Sequence, residues 1–109
     1  MANVFTNAKK DLTTNSETVV YTVPASTTGI IKSILVSEDS GNADSITLTL
    51  TDASSNVFSL FKTKAISANA TVELLTHPLV ITEGEVIKAT AASGNRLHIE
   101  FSVLQITRE

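Results

Sequence analysis

Ile46-Thr47-Leu48-Thr49-Leu50-Thr51 alternates apolar residues and threonine without a break. A period of two places Ile46, Leu48 and Leu50 on one face of a strand and the three threonines on the other. Threonine is β-branched, so both faces favour an extended backbone. Upstream, Gly29-Ile30-Ile31-Lys32-Ser33-Ile34-Leu35-Val36 is a second apolar stretch. Between the two, Asp39-Ser40-Gly41-Asn42-Ala43-Asp44 is turn chemistry except at Ala43. The pair reads as a long hairpin, with the rest of the chain wrapped around it as further strands.

Working outward, Val19 to Val23 is a first strand, closed by Pro24, which cannot donate to a ladder. Residues 30–37 follow, with Ile30, Ile34 and Val36 on one face and Ile31 and Leu35 on the other. That two-sided pattern predicts either a strand covered on both faces or a bulge that shifts its register. After a hairpin loop at Asp52–Asn56 comes Val57-Phe58-Ser59-Leu60-Phe61-Lys62-Thr63, again apolar on both faces. It is either a central strand whose second face lies under a loop or part of a subunit interface. Thr71–Leu75 and Leu79–Ile81 flank the break His77-Pro78, and Val86–Ala91 and Arg96–Thr107 complete the set. In the last strand Leu97, Ile99, Phe101 and Val103 point inward; Leu104 and Ile106 break the parity, which predicts a bulge near Val103–Leu104.

About eight short strands with turn residues between them and no helical period predict an all-β, antiparallel β-sandwich or jelly roll. Its 109 residues, 42% of them apolar, make one domain with a modest core. Four Phe, one Tyr and no Trp leave Ile, Leu, Val and Ala to fill it. Residues 1–17 are polar and weakly patterned, so the division expected is an N-terminal arm, 1–17, and a sandwich, 18–109. The arm is either loosely held or docks Val4 and Phe5 on a neighbouring subunit.

A net charge of −3, from 11 acidic and 8 basic residues, offers no basic patch for phosphates, and nucleic acid is not an expected partner. No stretch approaches the roughly 20 apolar residues of a membrane span, and the first residues hold no apolar segment of a secretory signal. Without cysteine there is no disulfide, thiolate metal site or thiol nucleophile. His77 and His98 are the only histidines and read as two solvated side chains; no Gly-x-Ser-x-Gly occurs. The Asp39–Asp44 loop lacks the oxygen spacing and closing Glu of an EF-hand. Asn69-Ala70-Thr71 matches a glycosylation triplet but is expected to stay unmodified in a chain without a secretory signal. Neither catalytic residues nor metal nor cofactor are expected. The candidate interface residues are Val4, Phe5, Val57, Phe58, Leu60 and Phe61.

Two segments carry a resemblance: Tyr21-Thr22-Val23-Pro24-Ala25 running through Gly29 to Val36, and Val72-Glu73-Leu74-Leu75 running through Pro78-Leu79-Val80-Ile81 to Ala91. Both are similar to segments of small virion structural proteins of tailed bacteriophages, notably those of cyanobacterial and other marine hosts. The similarity spans about residues 18–106; Glu85 stands where Asp is commoner in that group. The resemblance implies a β-sandwich that decorates or cements the capsid, or forms part of the neck or tail. It implies a virion location after assembly in the host cytoplasm. The partners implied are further copies of the chain, as a homo-oligomer, and virion proteins such as the major capsid protein. A host- or carbohydrate-binding module, such as a fibre tip, is the alternative; sparse aromatics for stacking sugars weigh against it.

Overall fold

A computed structural model describes residues 2–108; Met1 and Glu109, the outer ends of the two expected segments, lie outside the described residues. The described residues form nine strands and no helix. They are β1 (Ala2–Leu12), β2 (Thr18–Thr22), β3 (Thr27–Glu38), β4 (Asp44–Thr51), β5 (Val57–Ile66), β6 (Thr71–Glu73), β7 (Leu79–Ile81), β8 (Val86–Ala91) and β9 (Leu97–Thr107). One sheet runs β1-β9-β3-β6, with β7 also on β3; the other runs β2-β8-β4-β5. Every pairing is antiparallel. The chain passes repeatedly between a five-stranded and a four-stranded layer, which is the jelly-roll arrangement expected from the alternating pattern.

Side chains from both layers meet in an apolar core. Ile46 and Leu48 of β4, Ile31, Ile34 and Val36 of β3, Ile87 of β8 and the four inward residues of β9 are all buried. Tyr21 joins them, and its hydroxyl accepts a hydrogen bond from Gln105 Nε2 at 2.7 Å, so the buried polar tip is satisfied. Gly29 makes room for that ring: a Cβ there would stand 3.3 Å from the Tyr21 hydroxyl and 3.3 Å from Ile81.

The N-terminal stretch is not an arm. All eleven residues of β1 pair with β9, from Ala2 opposite Thr107 to Leu12 opposite Leu97. Leu12 is only 1% exposed and belongs to the core. The division at residue 17 therefore falls inside the sandwich, at the turn between β1 and β2. Its partner strand is some 90 residues away, which no local pattern reveals. The following turn is locked to the β8–β9 turn: Asn95 N–H donates to the Leu12 carbonyl at 3.0 Å, and Gly94 presses on the Thr13–Thr14 backbone.

Nor do β3 and β4 form a hairpin. They lie in different sheets, β3 between β9 and β6/β7, β4 between β8 and β5. The crossover is secured by a carboxylate that sequence reading passed over. Glu38 is buried at the end of β3. It accepts the backbone N–H groups of Ser40 (2.9 Å), Gly41 (3.0 Å) and Asn69 (3.0 Å) and the Ser40 hydroxyl. Burial alone pushes this carboxyl up; the Ser40 hydroxyl and the three N–H groups, which favour the charged form, outweigh it and hold the pKa at about 2. One side chain thus ties the β3–β4 loop to the turn before β6.

The two-sided pattern of β3 is a bulge. Its register against β9 shifts between Ile31 and Ser33, so Ile31 and Ile34 both point inward. The extra residue sits in β3, and β9 keeps its alternation: Gln105 follows Val103 inward while Leu104 and Ile106 stay on the outer face. β5 is an edge strand, not a central one. Its register against β4 slips twice between Ile46 and Thr49.

Candidate interaction surface

The register of the β1-β9-β3 sheet decides what its outer face presents. Residues directly opposite on neighbouring strands share a face. Phe5 pairs Leu104, Leu104 pairs Ile30, and Ile30 pairs Val80, so four apolar side chains from β1, β9, β3 and β7 form one row across the sheet. Their neighbours Ile31, Ile81 and Val103 point into the core, which fixes this row as outward. Phe5 is 77% and Val80 59% exposed. Phe5 was among the sequence candidates; Leu104, Ile30 and Val80 were not, because positions 5, 104, 30 and 80 have no shared local pattern.

Further along the strands the same face turns polar. Lys9, Glu100, Leu35 and Glu73 make one row, and Asp11, His98, Ser37 and Thr71 the next. All of them but Glu73 border an open groove of about 520 Å³. His98 is not a freely solvated side chain. Its Nε2 lies 3.1 Å from Asp11 Oδ1 and its Nδ1 3.5 Å from Asp39 Oδ2, so both ring nitrogens face carboxylates. Burial pushes the Glu73 carboxyl up, but the Ser33 hydroxyl and the N–H groups of Ile34 and Leu75 hold it below its ordinary value. Glu73 therefore stays anionic on this face.

The remaining candidates divide. Val4 is half exposed on β1 and faces the opposite way from Phe5. Val57 and Phe58 are 63% and 53% exposed on the outer edge strand β5. Leu60 and Phe61 pack against the core and are only partly accessible. The structure thus places Phe5 in one patch and Val57 and Phe58 in another, on opposite sheets.

The Asp39–Asp44 loop gathers no set of oxygens. Asp39 faces His98, while Asp44 accepts from the N–H groups of Ser45 (2.8 Å) and Ser93 (3.2 Å). Among the described residues no three His, Asp or Glu side chains come together as a metal site. His77 is exposed in the turn between β6 and β7.

The described residues thus form a two-sheet jelly-roll sandwich with an apolar row on the outer face of one sheet. No family model and no curated protein matches this chain. Solved structures match its fold. A chain of the Bacillus endospore appendages, a family of disulfide-linked pili, aligns over 98% of this chain and 89% of its own length, with 8% identity and a TM-score of 0.59. A chain of infectious bursal disease virus, Gx strain, aligns over 96% of this chain and 30% of its own, with 10% identity and a TM-score of 0.55. A chain from the virus-like particle of the prawn Macrobrachium rosenbergii extra small virus aligns over 99% and 80%, with 14% identity and a TM-score of 0.49. At these identities the likeness is one of fold.

Proposed function

We propose that this chain is a structural accessory subunit of a tailed-phage particle, decorating or cementing the capsid or forming part of the neck or tail. The observation that carries this reading is the outward row Phe5–Leu104–Ile30–Val80. Phe5 and Val80 stand exposed at the two ends of that row, outside a core that is already complete, and apolar side chains gathered on one face mark a surface that a partner covers. The likeness in fold to a pilus chain and a virus chain supports an assembling role, and so does the resemblance of residues 18–106 to small virion proteins. The partners are then other copies of the chain and virion proteins such as the major capsid protein, met after synthesis in the host cytoplasm. A lattice of modest repeated contacts suffices for such a role.

The chain works without catalysis in this reading. Asp11, His98 and Ser37 stand side by side across three strands, but both nitrogens of His98 face Asp11 and Asp39. Neither is presented to the Ser37 hydroxyl as a general base would be. The net charge of −3 supports a position away from packaged nucleic acid. Among the described residues no helix is long and apolar enough to cross a membrane.

The test is mass spectrometry of purified particles, followed by location of the sandwich in a cryo-EM map. The expected result is a stoichiometric component on the particle surface, neck or tail. Absence from the particles would overturn the proposal, and saturable binding to a glycan array would favour the receptor-binding alternative instead.

A further inference from the structure

We infer that the outer face of the β1-β9-β3 sheet docks a second copy of this chain, face to face, about a two-fold axis running along the strands between β9 and β3. This deepens the reading of the chain as an assembling subunit by naming the surface and its occupant.

The face is complementary to itself in that orientation. The axis carries β1 of one copy over β6 and β7 of the other, and β9 over β3. Phe5 then meets Val80 and Leu104 meets Ile30, apolar on apolar along the whole row. In the next row Lys9 meets Glu73, which is anionic, so opposite charges face each other, while Glu100 falls on Leu35 and keeps Lys9 of its own copy as its neighbour across the strands. His98 meets Ser37, a polar pair. Turning one copy the other way, about an axis across the strands midway between the two rows, lays Phe5 over Lys9 and Val80 over Glu73. That covers charge with apolar surface and desolvates it without a partner. An isologous interface needs a patch that complements itself under a two-fold, and these rows provide one.

The size is adequate. Three strands of eleven or twelve residues and the short β6 and β7, about 4.8 Å apart at about 3.4 Å per residue, present roughly 650 Å². Stable interfaces take roughly 600–1,000 Å² from each partner. The open edge of the other sheet is a poorer meeting place: β5 slips register twice and carries Lys62 and Lys64, features that blunt edge-to-edge pairing.

Sedimentation of the purified protein over a concentration series tests this, and it needs no particle. Wild type is expected to sediment as a dimer. The F5D/V80D double variant, altered only at exposed sites, is expected to weaken the dimer by at least about tenfold in Kd through like charges placed face to face. Its circular dichroism should not change. Because the sequence holds no cysteine, orientation is read by single-cysteine variants and a bismaleimide spanning about 10 Å, the separation of stacked sheets. Mixed F5C and V80C chains should cross-link to each other, while neither should cross-link to itself. A wild-type monomer at all concentrations, an F5D/V80D dimer of unchanged strength, or self-linking of F5C would each overturn the inference. Absence of the protein from virions would leave this result standing, so the two readings fail separately.

Discussion

Replacing Leu12 by alanine tests whether the first strand is part of the folded body. Leu12 closes β1 opposite Leu97 and is 1% exposed, in the same core as Phe101 and Ile99. Truncating a buried leucine costs roughly 2–5 kcal/mol, the transfer term plus the cavity left behind. Unfolding entropy of about 2.1 cal/mol/K per residue makes each kcal/mol worth about 4 °C in a chain of this length. The expected loss is therefore roughly 10–20 °C in Tm, measured by differential scanning calorimetry and checked against the urea midpoint. Phe5→Ala, seven residues earlier on the same strand, removes a larger side chain from an exposed site. It should stay within about 0.5 kcal/mol in the monomer. The contrast is what an integral strand requires. A Leu12→Ala shift below about 2 °C would refute the placement of β1, since an arm outside the core loses nothing when shortened by three carbons. Deleting residues 1–12 should likewise unfold the sandwich rather than trim it, because it strips the full-length partner from β9.

Glu38 sets an acid limit. Its folded pKa of about 2 lies below the ordinary 4.5, so the unfolded chain binds more protons in that window. Its contribution is complete well above pH 4.5, begins to fail as pH nears 4.5 and is lost as pH falls toward 2; urea midpoints at pH 7, 4.5, 3 and 2 should fall in that order. Glu73 and Asp52, both held below their ordinary values, add to the same slope. Glu38→Gln should lower the midpoint at pH 7 and flatten the fall, and an unchanged slope would remove Glu38 from the account. Gly94→Ala should destabilise by about 1–3 kcal/mol, because a Cβ there would stand 2.6 Å from the Thr13 carbonyl oxygen and backbone must move. A neutral result in thermal unfolding would show that the two turns are not locked together.

Strand identity was legible along most of the chain because period two is a local property. Ile46-Thr47-Leu48-Thr49 needs no partner to declare its faces, and Leu97, Ile99, Phe101 and Val103 sort themselves the same way. The bulge in β3 was one of two readings left open, because apolar residues on both faces fit a strand covered on both sides equally well until the register against β9 is known. The edge position of β5 was not legible, because an apolar pattern on both faces says what a strand contacts only once its neighbours are known.

What the sequence determined by itself, then, is an all-β chain with a core of aliphatic residues, since alternation and turn chemistry act over a few residues. Tertiary structure decided which strands lie side by side. It sent β3 and β4 to different sheets and turned a weakly patterned N-terminus into a paired strand. It also buried Glu38 among four donors and aligned Phe5, Leu104, Ile30 and Val80 in one row. Each of these depends on cross-strand pairing or on contacts between loops distant in sequence. The free energy of such contacts comes from surfaces that meet only when the whole sandwich closes.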